Sequence, residues 1–118
     1  MRDDSTYLQH ISESISLIED YLAGADGSPD QRFFNEDQRT QDAVLRRMET
    51  LTDAASHLSE DLKRRYPQIP WRKIADFRNA MAHAYVNLKP SEVWDAIIND
   101  LPELRIMVEI EIQRLGAD

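Results

Sequence analysis

Residues 69–85, IPWRKIADFRNAMAHAY, contain the side chains of this chain that are best suited to chemistry. His83 follows Arg78 by five positions. An imidazole can accept or donate a proton near neutral pH, and a guanidinium can grip a phosphate through two hydrogen bonds. Together they suit cleavage of RNA without a metal. The imidazole takes the proton of a ribose 2′-hydroxyl, and the guanidinium stabilises the charge that builds on the attacked phosphate. We therefore predict that Arg78 and His83 are catalytic.

Other classes of site have little support in the sequence. The chain has no cysteine, which excludes disulfides, thiol catalysis and thiolate metal ligands. It has no HExxH segment and no carboxylate cluster at metal-ligand spacing, so we predict neither a metal nor a cofactor. Its three glycines form no phosphate-binding loop, and no serine neighbours His83. His10 and His57 are isolated among ordinary helix residues, and we expect no function for them.

The spacing of residues 70–84 predicts a helix with two distinct sides. At about 100° per residue, one stripe is apolar and a second stripe, on the far side, is polar. The apolar stripe consists of Ile74, Phe77, Met81 and Ala84, and the polar stripe of Arg72, Asp76, Asn79 and His83. Arg78 lies between the stripes, and its long side chain can swing toward the polar one. We predict that Asp76 and Asn79 support the catalytic pair.

The overall charge of the chain bears on how it could bind a polyanion. A net charge of −8 disfavours binding of nucleic acid through bulk charge, so an RNA would need a local basic patch. No acidic residue occurs between Leu62 and Ala75. Five basic residues do occur there, namely Lys63, Arg64, Arg65, Arg72 and Lys73. We predict that this basic cluster binds RNA. A solvated surface with no special role accounts for the same charges about equally well.

A single histidine in the segment creates a requirement for a partner. RNA cleavage of this kind is fastest when both a general base and a general acid are present. A two-fold dimer that brings two copies of the helix together supplies the second histidine. The polar stripe faces away from the core, where such a partner can dock, so we predict a homodimer.

Hydrophobic periodicity predicts an all-α fold, an antiparallel bundle of four main helices with short extra helices. The helices are predicted at residues 5–23, 30–35, 36–58, 59–65, 70–84 and 92–100. The short helical turn at 30–35 is expected to bury Phe33 or Phe34. Ser59 and Ser91 are expected to act as N-caps. Pro102 either kinks one long final helix or begins a new one over residues 102–115.

Length and composition indicate one folded domain, residues 1–118. A chain of this length fits one core, and an apolar share of 42% is ordinary for a folded protein. The N-terminus lacks the apolar segment of a signal peptide, and no apolar run approaches the ~20 residues that span a bilayer. We expect a cytoplasmic protein that has no membrane partner.

Residues 78–85, RNAMAHAY, resemble the R-x4-H-x-Y motif of HEPN domains, specifically the HepT-like toxins of HEPN/MNT toxin–antitoxin pairs. The segments RTQDAVLRRM, LSEDLKRRYPQIP, WRKIADFRNAMAHAY and DLPE are similar to that family in order and spacing, so the resemblance covers most of the chain. The chain departs from the family pattern at two places. Ala84 stands where glycine is frequent, and Thr52-Asp53-Ala54 replaces a commoner Gly-Glu-Ala.

The resemblance implies a helical domain that dimerises with its motif helices facing one another. It implies a metal-independent endoribonuclease in which Arg78 and His83 are catalytic, with Asn79 matching the polar residue that commonly follows the arginine. It also implies an MNT-type nucleotidyltransferase antitoxin that neutralises the toxin by adding AMP to the motif tyrosine, here Tyr85. A phosphate attached there would occupy the site meant for the substrate phosphate. By resemblance only, tRNA is a candidate substrate.

Two other classes of function stay open at this point. A non-catalytic HEPN-type module could use the same helical fold to bind a nucleotide or the transferase. The intact Arg78, His83 and Tyr85 favour the enzyme over this module, because a degenerate module could lose any of them. A plain helical interaction protein is the third class, and it leaves the outward polar stripe unexplained.

Overall fold

The computed structural model describes residues 4–83 and 88–117, and over these ranges the chain forms six helices. They are α1 (Asp4–Leu22), α2 (Gln31–Glu36), α3 (Gln38–Ser56), α4 (Glu60–Arg65), α5 (Trp71–Ala82) and α6 (Pro90–Ala117). The described ranges contain no strand, only an isolated bridge between Ala23 and Pro29. The all-α class is confirmed. The antiparallel four-helix bundle and the two-fold dimer remain predictions.

The centre of the core is built by α1, α3 and α6. Helix α1 packs against both of the others, and its apolar residues recur at spacings of three and four. Its fully buried apolar side chains are Leu8, Ile11, Ile15, Ile18 and Leu22. Burial of each such side chain stabilises the folded state by about 1.5–3 kcal/mol. This scaffold supports the more exposed helix α5.

Helix α2 closes one end of the core through a single phenylalanine. Phe34 is 1% exposed and its ring lies 5.7 Å from the ring of Trp94, whereas Phe33 is 47% exposed. Asp30 caps α2 by accepting a hydrogen bond from the Phe33 amide at 3.0 Å. Of the two phenylalanines expected to fill this place, Phe34 is therefore the buried one.

Several helix boundaries differ from the sequence predictions. Helix α3 begins at Gln38 and not at residue 36, because the Asp37 side chain caps it by accepting from the Thr40 amide at 3.0 Å. Ser59 caps α4 as predicted, accepting from the Leu62 amide at 3.2 Å. Ser91 is not a cap. Helix α6 already begins at Pro90, whose fixed φ suits a first helical position.

Helix α6 continues through Pro102 as one helix of 28 residues. Of the two alternatives for this proline, a new helix beginning at residue 102 is thus excluded. None of the helices in residues 4–83 and 88–117 has the length and apolarity needed to span a bilayer.

One carboxylate is buried in α6, where it joins three other side chains. Glu111 is 1% exposed. It accepts hydrogen bonds from Tyr66 Oη at 2.6 Å, Arg65 Nη2 at 2.9 Å and Arg114 Nε at 3.4 Å. Burial alone raises the pKa of Glu111, but the hydrogen bonds from Tyr66 and Arg65 and the charges of Arg65 and Arg114 outweigh burial and hold this pKa below its usual value. The same bond raises the pKa of the Tyr66 hydroxyl.

Replacing Glu111 with glutamine is expected to lower the free energy of unfolding at pH 7 by about 1.5–3 kcal/mol, since charged hydrogen bonds to a buried group are lost. The pKa of Glu111 is lower in the folded state than in the unfolded state. The ionised carboxylate therefore makes its full contribution to the free energy of unfolding at pH values above the unfolded pKa. The contribution is lost as the pH falls through the folded pKa. The difference between wild type and Glu111→Gln should therefore shrink in acid. Urea unfolding at pH 7 and at acidic pH measures both effects.

Glu109→Gln is the matched control for this measurement, because Glu109 lies on the same helix in an exposed pair with Arg105 at 3.2 Å. Exposed pairs contribute at most about 1 kcal/mol. Equal destabilisation by the two substitutions would show that the buried position of Glu111 adds nothing.

Candidate active site

Helix α5 presents the predicted catalytic segment on the outside of the domain. Its start is held by Trp71, whose indole Nε1 donates to the Tyr66 carbonyl at 3.0 Å. Ile74, Phe77 and Met81 pack against the core as predicted, yet none of the residues Trp71–Ala82 is fully buried. The predicted apolar residue Ala84 lies outside the described residues. The helix is therefore a half-exposed element held chiefly against α3.

His83 stands immediately after the end of α5, not inside it as the predicted helix over residues 70–84 required. Its backbone is extended, with φ −97° and ψ 108°, and its amide donates to the Ala80 carbonyl at 3.3 Å. The ring Nδ1 lies 2.6 Å from the Asn79 carbonyl oxygen. A carbonyl oxygen only accepts, so Nδ1 carries the hydrogen and, in the neutral ring, Nε2 carries the lone pair. That tautomer presents Nε2 as the proton acceptor a general base requires.

Arg78 is directed toward α3 and not toward the polar stripe. Its Nη2 donates to Asp53 Oδ1 at 3.0 Å, and both side chains are about half exposed. In this structure the side chain does not take the swing toward the polar stripe that its length allows. The reason is that α3 packs alongside α5 and places a carboxylate within reach of the guanidinium.

A cleft of about 400 Å³ opens between α3 and α5 at the Arg78–Asp53 pair. Its walls include Arg46, Glu49 and Thr50 from α3 and Met81 from α5. Arg46 is paired with Glu49 across 3.8 Å, and both side chains are more than half exposed. The cleft is open to solvent and has both polar and apolar walls, with the Arg78 guanidinium in one of them.

The two predicted supporting residues have different surroundings. Asn79 contacts the His83 ring through its backbone carbonyl, not through its side-chain amide. Asp76 forms an ion pair with Arg72, whose Nε lies 3.7 Å from the carboxylate. Asn79 thus sets the tautomer of the histidine, whereas the observed partner of Asp76 is a member of the basic cluster.

The basic cluster is balanced by carboxylates in the folded chain. The pairs are Lys63–Glu60 at 3.8 Å, Arg64–Asp61, Arg65–Glu111 at 2.9 Å, Arg72–Asp76 at 3.7 Å and Lys73–Asp100 at 2.8 Å. Neighbouring turns and α6 supply these acidic groups, which the local absence of acidic residues did not reveal. Arg65 donates a hydrogen bond to the buried Glu111. Arg64 and Arg72 are the most exposed members, and exposed pairs are weak enough to exchange for a phosphate.

Tyr85, the predicted site of AMP addition, lies outside the described residues, as does Ala84. Within residues 4–83 and 88–117, no group of three or more His, Asp or Glu side chains is arranged to hold a metal ion.

Sequence reasoning missed Asp53. No role was predicted for it, and the structure pairs it with Arg78. One signal was present in the resemblance, where Asp53 of Thr52-Asp53-Ala54 stands in place of the glutamate of the commoner Gly-Glu-Ala and is also acidic. His57, for which no function was expected, lies 3.9 Å from the same carboxylate.

Comparison with known proteins decides the family. The model of the family described as "Ribonuclease HepT-like" matches residues 11–110. The chain belongs to this family of HepT-like ribonucleases. This membership supports ribonuclease function, and the catalytic roles of Arg78 and His83 remain predictions.

Three archaeal relatives illustrate the similarity. "Probable ribonuclease HepT" of Thermococcus cleftensis is 34% identical over 107 residues, 88% of this chain and 91% of the relative. "Putative RNase MJ0127" of Methanocaldococcus jannaschii is 33% identical over 86% of this chain and 80% of the relative. "Gamma-glutamylcyclotransferase and putative RNase MJ0434" of the same organism is 34% identical over 88% of this chain but only 45% of its own length. No solved structure matches the chain significantly.

Proposed function

We propose that this protein is a metal-independent endoribonuclease toxin of a toxin–antitoxin pair that acts in the cytoplasm. The observation that carries the proposal is the match to the HepT-like ribonuclease family over a segment that contains both Arg78 and His83. The geometry supports it, because both side chains stand at the surface, where a large substrate such as RNA can reach them.

Cleavage begins with removal of the proton from a ribose 2′-hydroxyl by Nε2 of His83. The 2′-oxygen then attacks the adjacent phosphorus and the bond to the 5′-oxygen breaks, which leaves a 2′,3′-cyclic phosphate and a 5′-hydroxyl. Arg78 binds the phosphate and stabilises the negative charge that builds on its oxygens. The departing 5′-oxygen needs a proton, which a second histidine supplies.

The second histidine comes from a homodimer in which two copies of α5 face one another. This arrangement is supported by the exposure of α5, none of whose residues from Trp71 to Ala82 is fully buried. Light scattering and activity measured across the same dilution series test it. A protein that is monomeric yet retains its full activity per molecule would overturn the dimer.

The partner is an MNT-type nucleotidyltransferase antitoxin, and its target is Tyr85. By the resemblance, an AMP group on this tyrosine would occupy the site meant for the substrate phosphate. Intact mass after incubation with such a transferase and ATP should rise by one adenylyl group in wild type and stay unchanged in Tyr85→Phe. Addition at another residue would overturn the assignment of Tyr85.

The substrate is a cellular RNA, with tRNA as one candidate. Arg64 and Arg72 are the best placed of the basic cluster to hold its backbone, since their side chains are 71% and 93% exposed. Lys63, Arg65 and Lys73 are proposed as weaker contacts, because their side chains are less exposed and Arg65 is already bound to the buried Glu111.

Expression in a host without the partner tests the proposal as a whole. Wild type should arrest growth, and His83→Ala or Arg78→Ala should not. If wild type is harmless, or if the two variants are as toxic as wild type, the ribonuclease toxin is excluded. A non-catalytic module that binds nucleotides or a protein partner then becomes the better explanation.

A further inference from the structure

Asp53 on α3 sets the direction in which the Arg78 guanidinium points. Its Oδ1 accepts a hydrogen bond from Arg78 Nη2 at 3.0 Å, between residues 25 positions apart in the chain. A guanidinium has five N–H donors in a rigid plane, so one bond to Asp53 leaves others with which to hold a phosphate. A single hydrogen bond at one edge therefore orients the guanidinium and leaves its other N–H donors available for a phosphate.

The Asp53 carboxylate has a second neighbour on its other side. Its Oδ2 lies 3.9 Å from His57 Nε2, one helical turn further along the chain. The His57 ring in turn stacks on the ring of Tyr7, with centroids 5.0 Å apart and planes inclined by 19°. The carboxylate thus lies between a ring that stacks on Tyr7 of α1 and a guanidinium that belongs to α5, and its hydrogen bond is to the guanidinium.

We propose that Asp53 is a positioning residue for RNA cleavage, which rests on the proposed function. It holds the Arg78 guanidinium in the place where charge develops on the attacked phosphate. Misplacement of such a group by about 1 Å can cost on the order of 10²-fold in rate. Loss of Asp53 should therefore lower kcat. KM should not rise, because the lost carboxylate would itself have repelled the RNA phosphate.

A purely structural role for Asp53 makes a different prediction. Its bond to Arg78 also ties α5 to α3, so its loss could loosen the helix as a whole. The chain offers a matched control in Lys73 and Asp100, which tie α5 to α6 by an ion pair of 2.8 Å. Asp100→Asn removes a tether of the same kind without touching Arg78.

The test is the measurement of kcat and KM for RNA cleavage by wild type, Asp53→Asn, Asp53→Glu and Asp100→Asn. We expect Asp53→Asn to lower kcat by about 10- to 100-fold with no increase in KM, up to the loss that misplacement of a catalytic group by about 1 Å can cause. Asp53→Glu, which keeps the charge, should recover most of the loss. Asp100→Asn should stay within about twofold of wild type in kcat.

Three outcomes would overturn the role of Asp53: an unchanged kcat in Asp53→Asn, equal losses in Asp53→Asn and Asp100→Asn, or no recovery in Asp53→Glu when its melting temperature equals that of wild type. Failure of wild type to cleave any RNA would instead overturn the proposed function itself. The two failures are thus distinguished by the wild-type rate measured in the same experiment.

Discussion

Replacing His83 with alanine is expected to lower the rate of RNA cleavage by about 10²- to 10⁴-fold, the usual contribution of a general acid or base. Helix content and melting temperature should stay as in wild type. The physical reason is that His83 lies beyond the last residue of α5, with its ring exposed and bonded to the Asn79 carbonyl. Its removal costs little packing but takes away the group that accepts the 2′-hydroxyl proton.

Single-turnover cleavage of a labelled RNA pool measures this effect, because it reports the chemical step separately from product release. His10→Ala is the matched control, since His10 is also an exposed histidine but lies on α1. We expect the control to cleave at the wild-type rate. Equal rates for His83→Ala and wild type would show that His83 takes no part in the cleavage reaction.

Replacing Arg78 with alanine is expected to lower kcat by about 10²- to 10³-fold, the typical loss when a donor to a developing negative charge is removed. Arg78→Lys should recover only part of this loss. A lysine keeps the charge, but it lacks the planar fork that can hold Asp53 at one edge and a phosphate with the remaining donors. The fall should appear mainly in kcat, because the interaction strengthens as charge develops on the phosphate.

Steady-state kinetics of both Arg78 variants, compared with Arg32→Ala, measure this effect. Arg32 is also paired with a carboxylate, Glu36 at 3.5 Å, but on α2, whose residues do not line the cleft. An Arg78→Lys variant with the full wild-type kcat would show that charge alone suffices. A loss confined to KM would make Arg78 a substrate-binding residue only.

The helices could be predicted from the sequence because their signals are local. Apolar spacings of three and four marked α1, α3 and α5, and Ser59 marked the start of α4. The boundaries that were missed depend on competition between neighbours. The Asp37 side chain accepts a hydrogen bond from the Thr40 amide, and this N-cap separates α2 from α3. Helix α6 begins at Pro90, so Ser91 already lies inside the helix and cannot cap it.

The environment of the candidate site could be predicted only in part. Motif spacing singled out Arg78 and His83, but a helical wheel for one helix contains no information about its neighbours. The Arg78–Asp53 bond joins two helices, and the carboxylate of Glu111 reaches Arg65 from 46 positions away in the chain. Such contacts depend on how the helices pack. The basic cluster is less positively charged in the fold than in the sequence because Glu60, Asp61 and Asp76 lie just outside it and α6 adds Asp100 and Glu111.

The chemical nature of the cleaved RNA ends is the most direct measurement of the proposed mechanism. Wild type incubated with RNA in the presence of EDTA should produce 2′,3′-cyclic phosphate and 5′-hydroxyl ends, because the 2′-oxygen is the nucleophile. His83→Ala should produce almost none. Ends that carry a 5′-phosphate and a 3′-hydroxyl, or cleavage that stops when EDTA is added, would contradict metal-independent attack by the 2′-hydroxyl at Arg78 and His83.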